Sequence, residues 1–361
     1  MKISKEIILL LLSIFVTLFI LEIIFRFLQV KLPDNSYSGK LYQNYSKQEL
    51  NDNLSFRHPN HGGECIKRKQ TKKMFWHPRF GYKNKILDMD CLESLFAENK
   101  TNIIFMGGSG MANYETPNYL TSIEHYMFKG DDEYRSINLA ESGARLSNEL
   151  SIFLEYIPKL KNKPDFIIFF DGYNEFSSIR YNGSPDNDFY WTAGVERRIH
   201  NPFMYYFDVI IERSALLKII FNNIYFFNSN RLPTQKIEKS KIISSANDYI
   251  YRKNIIEKLC KVYSIKKCIF VLQPVFVLSK KLKGDTDILI QEWHDKYFKN
   301  DKIVYELGYN SLVSNSKNIY NLVDIFDYQS NIYLDYVHTN KVGSKIIGEE
   351  LMKILKKEID N

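Results

Sequence analysis

The sequence predicts an α/β protein in which a parallel sheet carries helices on both faces. From residue 101 onward, short apolar runs of strand length alternate with longer segments of helical periodicity. The apolar runs are nearly continuous, which is typical of strands buried on both faces of a parallel sheet. Small or polar residues follow several of these runs, at the sheet edge where α/β proteins place their ligand site.

Five strands are expected, at residues 103–106, 136–140, 166–170, 268–272 and, more weakly, 322–326. Helical patterns separate them at residues 118–128, 146–160 and 246–263, and a last helix is expected to run to about Lys357. Alternation of this kind favours βα units and hence a parallel sheet.

The first 32 residues are predicted to be an N-terminal transmembrane signal anchor. Residues 7–28 are almost all apolar, and about 20 such residues span a bilayer. A cleaved signal peptide is the alternative, but the run is long for one and no A-x-A site follows it. Lys2 and Lys5 favour a cytoplasmic N-terminus, although Arg26 and Lys31 weaken that argument. We therefore expect a single-pass membrane protein whose main domain is extracytoplasmic, in the periplasm or outside the cell.

Two further segments flank or interrupt the predicted α/β domain of residues 101–361. Residues 33–100 begin as a polar stretch and then become aromatic around Pro78 and Gly81, which indicates a tether and a lead-in docked on the domain. Residues 177–245 break the strand–helix rhythm and contain the aromatic cluster 189–191. We expect an insertion over the carboxyl edge of the sheet, where lids usually lie.

The composition excludes several classes of function. The net charge is only +7 over 361 residues, without a basic stripe interleaved with aromatics, so nucleic acid is not an expected partner. The basic run at residues 67–73 is expected to be a solvated loop. His58 and His61 lack neighbouring metal ligands, and there is no P-loop or G-x-G-x-x-G turn. We therefore expect no cofactor and no metal; the oligomeric state stays open.

The four cysteines have no metal-binding spacing, and an even count permits two disulfides in an exported chain. The local pairs are Cys65–Cys91 and Cys260–Cys268, although three connectivities are possible.

The stretch 101–110 is the first candidate for chemistry. An apolar strand ends at Gly107 and Gly108, and Ser109 follows at once. The glycines leave the serine uncrowded at the strand end, with its amide free to donate. A plain turn without chemistry is the alternative, and partners are needed to decide between the two.

Those partners lie at three later positions. Asp335 precedes His338 by three residues in a loop before the last helix, so the carboxylate can orient the imidazole toward a serine; a turn former beside a helix-start histidine is the alternative. Gly143 follows the second strand and can present a bare amide, and Asn174 follows the third and can donate from its side chain to an oxyanion.

In this order the blocks Gly107-Gly108-Ser109, Gly143, residues 172–175 and residues 335–338 resemble the GDSL/SGNH hydrolase superfamily. The resemblance implies a flavodoxin-like three-layer α/β/α sandwich around a five-stranded parallel sheet. It also implies Ser109 as nucleophile, His338 as general base and Asp335 as its orienting group, with Ser109, Gly143 and Asn174 forming the oxyanion hole. Two departures are Gly108, where the eponymous motif has Asp, and Glu175, where many members have Asp.

An anchored member of this superfamily resembles enzymes that remove or transfer O-acetyl groups on cell-surface glycans. The implied function is a serine esterase or O-acyltransferase that acts on acylated carbohydrate or another ester. A catalytically idle glycan-binding or assembly subunit of a polysaccharide export system, and a lipid-directed esterase, are the alternatives.

Overall fold

A computed structural model describes most of the chain beyond residue 88. The described residues are 66–67, 75–77, 81–83, 86–87, 89–96, 99–112, 122–140, 143–182, 237–280, 284–297 and 301–360, with Ser13, Val16, Thr17 and Ile20. The chain divides into two compact units, Met1–Tyr42 with Trp191–Gln235 and Gln43–Tyr190 with Lys236–Asn361.

In the first unit, Ser13, Val16, Thr17 and Ile20 are helical, and the Thr17 hydroxyl donates to the Ser13 carbonyl at 2.9 Å. Within the described part of the chain, no helix combines the length and apolarity that a membrane crossing requires. Most of the predicted anchor at residues 7–28 falls outside the described residues, as do His58, His61 and the aromatic cluster 189–191.

The second unit contains the predicted α/β domain except for residues 191–235, which belong to the first unit. Its strands are β1 (Ile66–Lys67), β2 (Phe75–His77), β3 (Gly81–Lys83), β4 (Ile86–Leu87), β5 (Thr101–Gly107), β6 (Tyr134–Asn138), β7 (Phe166–Asp171), β8 (Lys267–Leu272) and β9 (Ile319–Asn321). Its α-helices are α1 (Met89–Ser94), α2 (Ser109–Ala112), α3 (Ile123–Met127), α4 (Leu146–Tyr156), α5 (Tyr173–Asn182), α6 (Lys239–Val262), α7 (Asp285–Tyr297), α8 (Asp301–Asn315) and α9 (Lys341–Asp360).

The central sheet has the order β6-β5-β7-β8-β9, and every neighbouring pair is parallel. This is the flavodoxin-like order in which the second strand along the chain lies outside the first. Two short antiparallel pairs, β1 with β4 and β2 with β3, precede it in the lead-in. The predicted five-stranded parallel sheet is confirmed.

Helices cover both faces of this sheet. Helices α4, α5, α6 and α8 pack together in one layer, and α3 packs with α9 in the other. Successive side chains of β5 point to opposite faces of the sheet, so that they pack against both helix layers. Ile104 and Met106 belong to the core cluster that includes α4 and α6, whereas the Phe105 ring lies 6.0 Å from that of Phe128, which follows α3. The result is a three-layer sandwich with β5 and β7 buried at its centre.

Several predicted boundaries were wrong. The fifth strand is β9, and residues 322–326, where it was expected, form a turn. Leu322 and Phe326 are buried in that turn, so their apolar character indicates burial and not a strand. The described part of the predicted helix 118–128 is only α3, capped by the Ser122 hydroxyl, which accepts from the His125 amide at 3.2 Å.

Helices occupy both ends of the predicted insertion at residues 177–245. Residues 177–182 belong to α5 and residues 239–245 to α6, so that α6 begins seven residues before its predicted start. Residues 183–236 of the predicted insertion fall outside the described residues. Helices α7 and α8, between β8 and β9, were not predicted.

One predicted disulfide is present. Cys260, near the end of α6, is bonded to Cys268 in β8, with their Cα atoms 6.4 Å apart. The bond therefore joins a covering helix to the strand that follows it. Cys65 is outside the described residues, so its pairing with Cys91 stays a prediction.

Candidate active site

The candidate nucleophile lies at the carboxyl end of β5. This strand ends at Gly107, and Ser109 is the first residue of the short helix α2. The serine therefore leaves the sheet at the edge where parallel α/β sheets bind ligands, as its sequence position predicted.

The histidine and the aspartate meet this serine across the sheet edge. The His338 Nε2 atom lies 2.7 Å from the Ser109 hydroxyl, and the His338 Nδ1 atom lies 2.6 Å from Asp335 Oδ2. If Nδ1 donates its hydrogen to the carboxylate, Nε2 is left as the acceptor for the serine hydroxyl hydrogen. Ser109, His338 and Asp335 form a triad.

Asp335 is held by its own loop. Its Oδ1 atom accepts hydrogen bonds from the backbone amides of Val337 and His338, both at 2.8 Å. Burial by itself would raise the pKa of this carboxyl, but the facing His338 and these hydrogen bonds outweigh burial and hold the pKa below its ordinary value of 3.8. Asp335 is therefore an anion suited to orient an imidazole and to stabilise its protonated form.

Two of the three predicted oxyanion donors are Gly143, in the turn before α4, and Asn174, in the first turn of α5. Gly143 has a φ of 73°, a left-handed conformation that glycine adopts without strain. The Asn174 Nδ2 atom donates to the carbonyl of Ala144, the next residue, at 2.8 Å. Because an amide nitrogen carries two hydrogens, this bond fixes the orientation of Asn174 and leaves one hydrogen for a ligand.

Gly108 makes room for Asn174 beside the nucleophile. A Cβ atom on Gly108 would collide with Asn174 Nδ2, closer than Cβ atoms come in real structures. The amide group of Asn174 therefore lies against the residue that precedes Ser109. In this chain the missing Cβ atom of Gly108 leaves the space that the Asn174 amide occupies.

A tyrosine stack connects the turn of Asn174 to the loop of His338. The ring of Tyr173 stacks on Tyr336 with centroids 5.2 Å apart, and on Tyr305 of α8 at 5.1 Å. Tyr173 directly precedes Asn174, and Tyr336 directly follows Asp335. The stack thus packs the donor turn against the loop that carries the base.

No protein-family model and no curated protein sequence matched the chain. Similar solved structures include an acetyl xylan esterase, 12% identical with a TM-score of 0.37, which covers 70% of this chain and 99% of that chain. Another is a carbohydrate acetylesterase from Sinorhizobium meliloti, 11% identical with a TM-score of 0.37, covering 72% and 99%.

A third is a member of the lipolytic protein G-D-S-L family from Veillonella parvula, 11% identical with a TM-score of 0.34, covering 71% and 98% of the two chains. The G-D-S-L family is the one that the four sequence blocks resemble.

A small cleft opens beside Ser109 and His338. Apolar side chains of Ile123, Phe170 and Ile347 form much of its wall, and its volume is about 340 Å³ when the open mouth is included. An apolar wall beside Ser109 suits the hydrocarbon part of an acyl group.

Gln273 in the wall of this cleft was not predicted. It is buried, and its Oε1 atom lies 3.3 Å from the position that a Cβ atom would take on Gly110. It follows β8 directly, so the signal that could have found it was its place at the carboxyl end of a strand.

A buried charged cluster behind the donors was also missed. Arg145, Glu149, Asp171 and Glu175 are all at most 3% exposed. Burial raises the pKa of Glu149 well above its ordinary value and the pKa of Asp171 to about 7, and the nearby Glu175 charge adds to both shifts. Glu149 and Asp171 therefore hold a proton between them at neutral pH.

Within the described residues, no group of three or more His, Cys, Asp or Glu side chains is placed to hold a metal ion.

Proposed function

We propose that this protein is a serine ester hydrolase that works through an acyl-serine intermediate. The observation that carries the proposal is the pair of contacts made by His338, at 2.7 Å to Ser109 Oγ and 2.6 Å to Asp335 Oδ2. A binding module has no need for a histidine that faces a serine with one ring nitrogen and a carboxylate with the other. The idle-subunit alternative is therefore the weaker one.

The acylation half-reaction follows from the geometry. Ser109 Oγ attacks the ester carbonyl carbon while its proton passes to His338 Nε2. The carbonyl oxygen becomes an oxyanion, and the Ser109 amide, the Gly143 amide and the Asn174 side chain are the donors that stabilise it. When the carbon–oxygen bond of the ester breaks, the leaving alcohol takes the proton from His338.

The acyl-serine is then resolved by a second alcohol or by water, which His338 activates in the same way. Water gives an esterase, and a sugar hydroxyl gives an O-acyltransferase. The apolar side chains in the wall of the cleft beside Ser109 support an acyl group as the bound part of the ester, and acetyl is proposed because of the sequence resemblance. We propose acylated carbohydrate as the substrate class because the sequence resembles enzymes that remove or transfer O-acetyl groups on cell-surface glycans.

The membrane-anchored, extracytoplasmic location is also a proposal. The apolar run at residues 7–28 supports the anchor. The Cys260–Cys268 bond supports an oxidising compartment, because disulfides persist there and are rare in the cytosol. A protease-protection assay tests this location. We expect the C-terminal domain to be protected in intact cells and to be cleaved once the outer layer of the cell is permeable. Cleavage only after disruption of the inner membrane contradicts an extracytoplasmic location.

The test of the activity uses the full chain in detergent and a series of p-nitrophenyl esters from acetate to octanoate. We expect hydrolysis of acetate, loss of at least about 10³-fold in kcat for Ser109→Ala, and labelling of the wild type by a fluorophosphonate. Ser314→Ala, which removes an exposed hydroxyl from α8, is the matched control. Labelling of Ser109→Ala equal to that of the wild type contradicts the proposal.

Acyl-chain length separates the lipid-directed alternative, which requires a preference for octanoate over acetate. Mass spectrometry of the products from an acetylated oligosaccharide, with and without an unacetylated sugar acceptor, separates hydrolysis from transfer.

A further inference from the structure

A buried ion pair joins the two turns that carry the proposed oxyanion donors. Arg145 lies two residues after Gly143, and Glu175 directly follows Asn174. The Arg145 Nε atom lies 3.6 Å from Glu175 Oε2, and both side chains are at most 4% exposed. Neither residue belongs to the triad or donates to the oxyanion.

Hydrogen bonds add to this ion pair, and together these contacts form a junction between the two turns. Glu175 Oε1 accepts from the amide of Leu146, the first residue of α4, at 2.6 Å, and Arg145 Nη2 donates to the Glu175 carbonyl at 3.2 Å. The same carbonyl accepts from the Ser245 hydroxyl of α6 at 2.9 Å. One glutamate thus binds the start of α4 through its carboxylate, and both Arg145 and α6 through its backbone.

The junction lies directly behind the donors. The bond from Asn174 to the Ala144 carbonyl is the contact between the same two turns on the side of the nucleophile. A shift of either turn changes the distance between Gly143 and Asn174, and oxyanion donors act only when their geometry is set in advance. The ion pair is suited to this task because charged partners in a buried site tolerate few alternative arrangements.

We infer that Arg145 and Glu175 are positioning residues for the oxyanion hole: their ion pair fixes the spacing of Gly143 and Asn174 and so raises the rate of the acyl-transfer step. The inference rests on the proposed function. It gives Glu175, which departs from the aspartate of many family members, a role in the rate of the reaction without contact with the substrate.

The first experiment compares kcat and KM of Glu175→Gln with those of the wild type on p-nitrophenyl acetate. The glutamine keeps an oxygen that can accept from Leu146 and removes the charge that faces Arg145. We expect kcat to fall about 10- to 100-fold, less than the 10²–10³-fold loss that follows removal of an oxyanion donor, while KM changes less than about twofold. Glu175→Asp, which keeps the charge, is expected to recover at least half of the loss on a logarithmic scale.

A double-mutant cycle with Asn174→Ala distinguishes positioning of the donors from a purely structural role of Glu175, because only positioning makes the two effects on kcat depend on each other. If Glu175 acts through the donors, Glu175→Gln costs much less in kcat once Asn174 is gone. Lys253→Met is the control, because it removes a buried cation of α6 whose contacts are with Glu257 and Phe270. We expect Lys253→Met to lower the unfolding midpoint and to leave kcat within about twofold.

The outcomes separate the two proposals. A wild type that neither hydrolyses esters nor reacts with a fluorophosphonate contradicts the proposed function itself. Two results overturn the positioning role alone when the wild type is fully active. One is a Glu175→Gln variant with the kcat of the wild type, and the other is a double variant with Asn174→Ala whose loss in kcat equals the product of the two single losses. If Glu175→Gln does not fold, the same criteria apply to Arg145→Lys, which keeps the charge but loses the guanidinium group that donates to the Glu175 carbonyl.

Discussion

Gly108→Ala gives a direct test of the donor geometry, because one added methyl group meets one functional atom. The Cβ atom would collide with Asn174 Nδ2 and would otherwise lie at an ordinary 3.5 Å from the Ala144 carbonyl oxygen. The end of the Asn174 side chain can turn away more easily than the backbone can move. We therefore expect the substitution to displace the donor and to leave the fold in place.

The magnitudes follow from the contacts that are lost. Turning Asn174 away breaks its 2.8 Å bond to Ala144, which contributes about 1 kcal/mol to stability. Loss of one oxyanion donor lowers kcat about 10²–10³-fold. Activity should therefore fall far more than the free energy of unfolding, which urea denaturation measures beside kcat on p-nitrophenyl acetate.

The matched control is the same substitution in an Asn174→Ala background. With the amide gone, the added methyl group has space, so Gly108→Ala should there change kcat less than about threefold. A kcat for the single variant within threefold of the wild type, with the protein folded, would refute the placement of Asn174 as a donor beside Ser109.

Three further predictions concern other parts of the domain. Asp335→Asn should lower kcat about 10³–10⁴-fold with little change in KM, because His338 loses its orienting anion. The pKa of Asp335 is lowered on folding, so its contribution to stability should be present above pH 3.8 and lost as the pH falls further in urea titrations. Replacing Cys260 and Cys268 by serine should cost about 2–3 kcal/mol of unfolding free energy, as expected for a short loop, and leave kcat nearly unchanged; a large loss of kcat at full folding contradicts this. The raised pKa of Asp171, from 3.8 to about 7, means that the folded state binds the extra proton, so the free energy of unfolding should fall as the pH rises between these values, by up to about 1.4 kcal/mol per pH unit. Because the two carboxyls share the proton, Asp171→Asn combined with Glu149→Gln should flatten this slope, and an unchanged slope in that double variant speaks against their titration.

The strands and the triad could be predicted because their signals are local. The buried strands β5, β7 and β8 are nearly continuous apolar runs. Ser109 and Asn174 follow two of these runs, and Asp335 and His338 lie just before the last helix. The distance of 2.7 Å between Ser109 and His338 joins residues that are 229 positions apart, yet each was recognisable from its own neighbours.

The other features depend on contacts between distant segments and leave no local pattern. Arg145 and Glu175 are charged residues, which the sequence alone places on the surface, and only their mutual burial reveals their role. The strand predicted at residues 322–326 was wrong for the related reason that a buried turn and a buried strand both require apolar residues. Hydrophobicity indicates burial and does not distinguish the backbone conformation.

The stacked rings of Tyr173 and Tyr336 have a consequence for how such sequences vary. Both occupy positions that a G-x-N and a D-x-x-H pattern leave unspecified, and each ring fills the space beside the other. A smaller residue at one position opens a gap that only a larger residue at the other can close. These two unspecified positions should therefore change together among related chains, and neither short pattern contains that pairing.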